Sequence, residues 1–191
     1  MICRAWLRNM KYKNIALFCA ASESIDNLYV AAAREFGLWL GSEGLTLIYG
    51  GAAKGLMEVT ASAAKSAGAR IVGVVPDILV HRARVSTLLD ECVQVANLSE
   101  RKDAILSRSD ILVAMPGGIG TLDEVFHVMA AATIGYHSKK IVFYNVNNFW
   151  GSMLATLAEY HKKGFLRGEP DKYFVVADNL EDLKKIIADE R

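Results

Sequence analysis

The sequence predicts an α/β chain built on a mostly parallel sheet with helices on both faces. Short apolar runs rich in branched residues alternate with longer stretches of helical period from residue 14 to the C-terminus. Three of these runs end in turns of small residues, after Ala20, Tyr49 and Met115, where a parallel sheet opens at its strand ends. Such alternation implies right-handed crossovers, and hence the Rossmann-like doubly wound arrangement.

Met1 to Lys13 carries Arg4, Arg8, Lys11 and Lys13 around apolar pieces too short for a signal-peptide core, and is expected to be a loose extension, with Met10 an alternative start. Asn14–Ala20 reads as the first buried strand and Ala21–Ser24 as a polar turn. Asp26 is a candidate N-cap for a helix to Ser42, with Leu28, Ala31, Ala32, Glu35 and Trp39 on its inner face and Gly44 as the stop. A second strand, Leu45–Tyr49, leads into the turn Gly50-Gly51-Ala52-Ala53-Lys54-Gly55 and an alanine-rich helix to about Gly68. The third strand, Arg70–Val75, is ended by Pro76, and Asp77–Glu91, with His81, Arg82 and Arg84, reads as a loop or short helix beside a site. Then come a strand at Cys92–Ala96, a helix at Leu98–Ser109 and a strand at Asp110–Ala114. The stretch from Met115 to Glu124 opens a helix to about Gly135, with Leu122, Val125, Phe126 and Met129 expected inward. A strand at Lys140–Tyr144, a helix at Phe149–Lys163, a strand at Tyr173–Val176 and a helix at Leu180–Ala188 complete the pattern.

At 191 residues and 52% apolar, residues 14–191 are expected to form a single domain. A formal net charge of +1, with basic residues scattered among acidic ones, gives no argument for nucleic acid or an anionic membrane. No segment approaches a membrane span. Cys3, Cys19 and Cys92 are odd in number and widely spaced, which argues against a disulfide framework or a thiolate metal site and for a reducing cytoplasm.

Pro116-Gly117-Gly118-Ile119-Gly120-Thr121-Leu122-Asp123-Glu124 is the most specific stretch. Glycines at a helix start let a ligand approach the unpaired amides, which suits a phosphate. Asp123 and Glu124, adjacent and expected in the first helical turn, cannot flank a scissile bond as paired glycosidase carboxylates do. The helix dipole there would favour their ionised form, suiting a base or a stabiliser of positive charge. The Gly50–Gly55 turn nearly matches Gly-x-Gly-x-x-Gly, but Ala52 stands where pyrophosphate needs glycine, so a turn packing helix on strand is as good a reading. Asp77 could serve as a ribose-binding acid, which keeps a nicotinamide dehydrogenase open. Arg101 and Lys102 begin a helix after a strand end and aim at the same crevice, the alternative being a solvated pair bonded to Glu100 or Asp103. His127 reads as a helix-surface partner, Trp39 and Met129 as core, and Trp150 as core or interface.

Four stretches together resemble the LONELY GUY family of phosphoribohydrolases, often mislabelled lysine decarboxylases, which release cytokinin bases from nucleoside 5′-monophosphates. They are Phe18–Ser22, Tyr49–Met57, Glu100-Arg101-Lys102 and Pro116–Glu124, the last matching Pro-Gly-Gly-x-Gly-Thr-x-x-Glu at every fixed position. The resemblance implies Arg101 and Glu124 as the catalytic pair. It implies nucleotide contacts from Ser22, Gly51, Gly55, Met57, Lys102, Gly117, Gly118, Gly120, Thr121 and Asp123, no cofactor or metal, and a homodimer with sites near its interface. Ala20-Ala21-Ser22, Ala52, Glu58, Ala83 and Ala130 depart from the family pattern, so the base is less defined than the reaction. A non-catalytic carrier of the same fold, as molybdenum-cofactor carriers resemble, stays open. A pyridoxal-dependent decarboxylase finds no recognisable cofactor domain here.

Overall fold

The structure is a computed structural model that describes residues 11–81 and 84–188. The expected extension therefore lies outside the described residues as far as Met10, and so do Arg82 and Ala83. Of its last residues, Tyr12 packs against the core and the Lys13 N–H donates to Asp110 Oδ2 at 2.9 Å.

The strands are β1 (Asn14–Phe18), β2 (Thr46–Tyr49), β3 (Arg70–Pro76), β4 (Glu91–Val95), β5 (Ile111–Ala114), β6 (Ile141–Tyr144) and β7 (Phe174–Ala177). The helices are α1 (Asn27–Ser42), α2 (Gly55–Ser66), α3 (Asp77–His81), α4 (Leu98–Arg108), α5 (Ile119–Thr133), α6 (Gly151–Lys162) and α7 (Leu180–Ala188). All the strands join one sheet in the order β4-β3-β2-β1-β5-β6-β7, and every pairing is parallel. The order reverses at β1, which pairs Ile15 with Leu47 on one side and with Ile111 on the other. Reversal leaves a crevice between the β1 and β5 ends, the ligand position in such sheets.

Successive side chains of a strand point to opposite faces, and β1 shows it. Ile15, Leu17 and Cys19 enter the core beneath α1, α2 and α7, whereas Ala16 and Phe18 enter the one beneath α4, α5 and α6. Trp39 and Met129 are core, as expected, and Trp150 proves to be core, its indole N–H donating to Ala114 O at 3.1 Å. Among the described residues no helix is long and apolar enough to cross a membrane.

Two helix faces differ from expectation. On α1 the buried set includes Ala33, Phe36, Gly37, Leu40 and Gly41, while Leu28, Ala31 and Glu35 are exposed. The cause is α2: a Cβ on Gly37 would stand 2.5 Å from Thr60 O, so the glycine side of α1 turns inward to let the helices touch. On α5, Val125, Val128 and Met129 are buried and Phe126 is exposed.

Candidate active site

The ends of β1 and β5 are laced together. Met115 N–H donates to Phe18 O at 2.9 Å and Ala20 N–H to Pro116 O at 3.1 Å. From β2, Leu56 N–H donates to Ala20 O at 3.0 Å, which brings the start of α2 against the first turn. A cavity of about 280 Å³ opens where these three strand ends meet α4 and α5.

One wall is the start of α5. Gly118 is its N-cap and supplies no side chain to the first-turn amides, and a Cβ on Gly118 or Gly120 would meet nothing within 4 Å. The amides of Ile119, Gly120 and Thr121 precede the first intrahelical acceptor and face an opening with no side chain in the way, the geometry of an anion cradle. Ser22 lines the same cavity.

Another wall is charged. Asn97 caps α4 by accepting from Ser99 N and Glu100 N, and Glu100 reaches back to accept from Ala96 N at 3.0 Å and from the Asn97 side-chain amide. This capping box fixes the first turn of α4, which carries Arg101. Arg101 Nη2 lies 3.9 Å from Glu124 Oε1, with the two side chains 13% and 14% exposed. That separation is too long for a hydrogen bond and leaves room for a ligand atom. Arg101 Nε is buried without an acceptor.

Glu124 overturns the expectation of an acid held ionised by the helix dipole. Because α5 begins at Ile119, Asp123 and Glu124 fall in its second turn, and no acid stands in the first. The dipole acts chiefly on the terminal turn, so burial dominates instead. It pushes the carboxyl up from 4.5 to about 7, opposed by Arg101 and Lys102 and reinforced by Asp123. Burial likewise raises the Cys19 thiol on the cavity floor, with the charge of Glu124 adding and Arg101 opposing.

The family model described as "possible lysine decarboxylase" matches residues 57–187. The cytokinin riboside 5′-monophosphate phosphoribohydrolases LOG1 and LOG3 of Arabidopsis thaliana are 32% and 30% identical to this chain over 94% of it, with 84% and 83% of their own lengths covered. The chain belongs to the LONELY GUY family. The probable phosphoribohydrolase LOGL9 of Oryza sativa subsp. japonica is 33% identical over 91% of the chain and 76% of its own length. Among solved structures, the molybdenum cofactor binding protein of Rippkaea orientalis and the Moco carrier protein of Chlamydomonas reinhardtii each superpose with a TM-score of 0.69 at 21% identity. Each match covers 93% of this chain and 96% of the other, and shows the shared fold.

Of the residues expected from the LONELY GUY pattern, the structure brings Ser22, Met57, Arg101, Gly118, Gly120, Thr121 and Glu124 together around the cavity. The others do not line it. Lys102 Nζ binds both oxygens of Asp123, at 2.8 and 2.9 Å, so each neutralises the other beside the cavity wall. Gly117 is glycine because a Cβ would stand 2.7 Å from that of Thr121. Gly51 and Gly55 have φ of +67° and +55°, and a Cβ would press on Gly73 Cα at 3.3 Å in the first case and on Ser22 O at 2.6 Å in the second. Their turn is further engaged by residues 84–86: Ala53 N–H donates to Arg84 O, Ser86 N–H to Gly51 O, and Ala52 bridges Val85. From Gly51 to Gly55 the near-dinucleotide turn thus packs helix on strand, with Ala52 held against Val85, while Gly50 at its head faces the cavity. Asp77 accepts from Gln94 at 2.8 Å and does not line the cavity, so the dehydrogenase reading has no ribose acid. His127 pairs with Asp103 at 3.1 Å, as a helix-surface partner.

Leu17, Cys19, Ala20 and Ala21 also line the cavity and were not expected as site residues, and Gly50 lines it at the head of the turn that the resemblance assigned to the nucleotide. The alternation along β1 signalled Leu17 and Cys19, whose side chains share a face. Of the departures, Glu58 is half-buried with Oε2 lacking a partner, and Ala130 lines a separate groove of about 770 Å³ between α4 and α5.

Proposed function

We propose that this protein hydrolyses the N-glycosidic bond of a purine or cytokinin nucleoside 5′-monophosphate, giving free base and ribose 5-phosphate. One observation carries the reading: a buried carboxyl, an arginine with an unpaired donor and an uncapped helix start share a cavity sized for one small ligand. The amides of Ile119 to Thr121, with Ser22, take the phosphate. Arg101 donates to a ribose or phosphate oxygen and keeps its proton throughout. As the C1′–N bond breaks, its electron pair leaves with the base and positive charge gathers on the ribose beside Glu124. The ionised carboxylate stabilises that charge and takes a proton from the water that adds to C1′; the proton then serves the departing base. The names of the curated relatives support the same activity.

The test is incubation with adenosine monophosphate and its isopentenyl derivative, followed by detection of free base. Glu124→Gln is expected to lower release at least about a hundredfold. No release from either nucleotide, or undiminished release by the variant, overturns the reading; a nucleotide retained through purification without turnover favours the carrier. We extend the proposal to a homodimer formed through α5, whose outer side leaves Ile119 83% exposed, with Phe126 beyond it and Ile134 and Tyr136 at its far end.

A further inference from the structure

Arg101 reaches the cavity from α4 across the end of β2, and the residue it crosses is Gly50. A Cβ placed on Gly50 would overlap Arg101 Nη2 outright, and stand 2.6 Å from Cζ and 3.1 Å from Nε. The tip of the guanidinium therefore fills the space of a side chain that Gly50 does not have. Backbone conformation gives no other reason for glycine here: Gly51 and Gly55 have positive φ, and Gly50 does not.

We infer that Gly50 is the positioning residue for Arg101, its missing side chain being the seat that holds the guanidinium facing Glu124. The inference rests on Arg101 serving the reaction proposed above. A methyl group at position 50 meets the far end of a flexible side chain, so the guanidinium swings aside while strand and turn stay in place. Glu124 then loses part of the positive charge that opposes the effect of its burial, and its carboxyl binds a proton more tightly.

The experiment is a double-mutant cycle of Gly50→Ala and Arg101→Ala, read by base release, by the ¹³C titration of the Glu124 carboxyl in ligand-free protein, and by melting temperature. Gly50→Ala alone is expected to lower kcat about tenfold or more, as misplaced catalytic groups do. It moves the Glu124 titration to higher pH and leaves melting at pH 4, where the carboxyl is protonated in both proteins, unchanged. In the Arg101→Ala background the same change alters neither turnover nor titration. An equal loss in both backgrounds, or a Glu124 titration unmoved by Gly50→Ala, overturns the inference. Should wild-type protein release no base, the proposed function fails, and the carboxyl titration still decides the role of Gly50.

Discussion

Glu124 is held between two requirements. In the proposed reaction it has to be ionised to accept a proton, and it sits where burial resists ionisation. With the folded carboxyl at about 7 and an ordinary value of 4.5, the native state binds more protons than the unfolded chain between those limits. The contribution to stability is therefore full below about pH 4.5 and lost as pH rises through about 7, a span of about 3 kcal/mol. Glu124→Gln is expected to melt well above wild type at pH 8 and close to it at pH 4; equal differences at both values contradict this. The proposed hydrolysis is expected to run the other way, with kcat/KM for base release rising up to pH 7 and levelling above it. The identity of Glu124 was legible in the sequence, but its charge state was not. That state depends on the helix starting at Ile119 and on how far α4 closes over the carboxyl, neither of which a motif records.

At the scale of elements, the ordering of α4 matters more than its apolar face. Asn97 and Glu100 satisfy the amides of its first turn and so fix where Arg101 leaves the helix. Asn97→Ala is expected to cost about 1 kcal/mol, measured by denaturant unfolding, and to lower kcat as the first turn frays. The sequence placed this helix within a residue of its observed end, and offered Glu100 as an ion partner when it is a cap. It also assigned the inner face of α1 by helical spacing from Leu28 to Trp39 with no weight given to glycine, which fails where helices meet through their smallest residues. Gly37 and Gly41 carry no hydrophobic signal, yet they select the side that packs on α2.

Across the whole molecule, the alternation of strand and helix was enough to give the doubly wound sheet, because a buried parallel strand has few other sequence patterns. Strand order was less accessible, since nothing local to β1 says that β5 will be its neighbour. The surface proposed for pairing was not legible from periodicity, because exposed Phe126 reads as core by period, and the expectation of a homodimer came from the resemblance alone. If α5 pairs copies of the chain, sedimentation should report twice the chain mass for wild type and the single chain mass for Phe126→Asp; equal masses contradict the pairing. The seam between β1 and β5 has a consequence for synthesis. Asn14 N–H finds its acceptor on Asp110, ninety-six positions along the chain, and β1 pairs with β2 long before that. A nascent chain emerging from the ribosome thus carries β1 with one edge sealed and the other bare until β5 arrives. The crevice, built on that late edge, cannot form before β5 arrives, and a chain released before Glu124 lacks the carboxyl on which the proposed reaction depends.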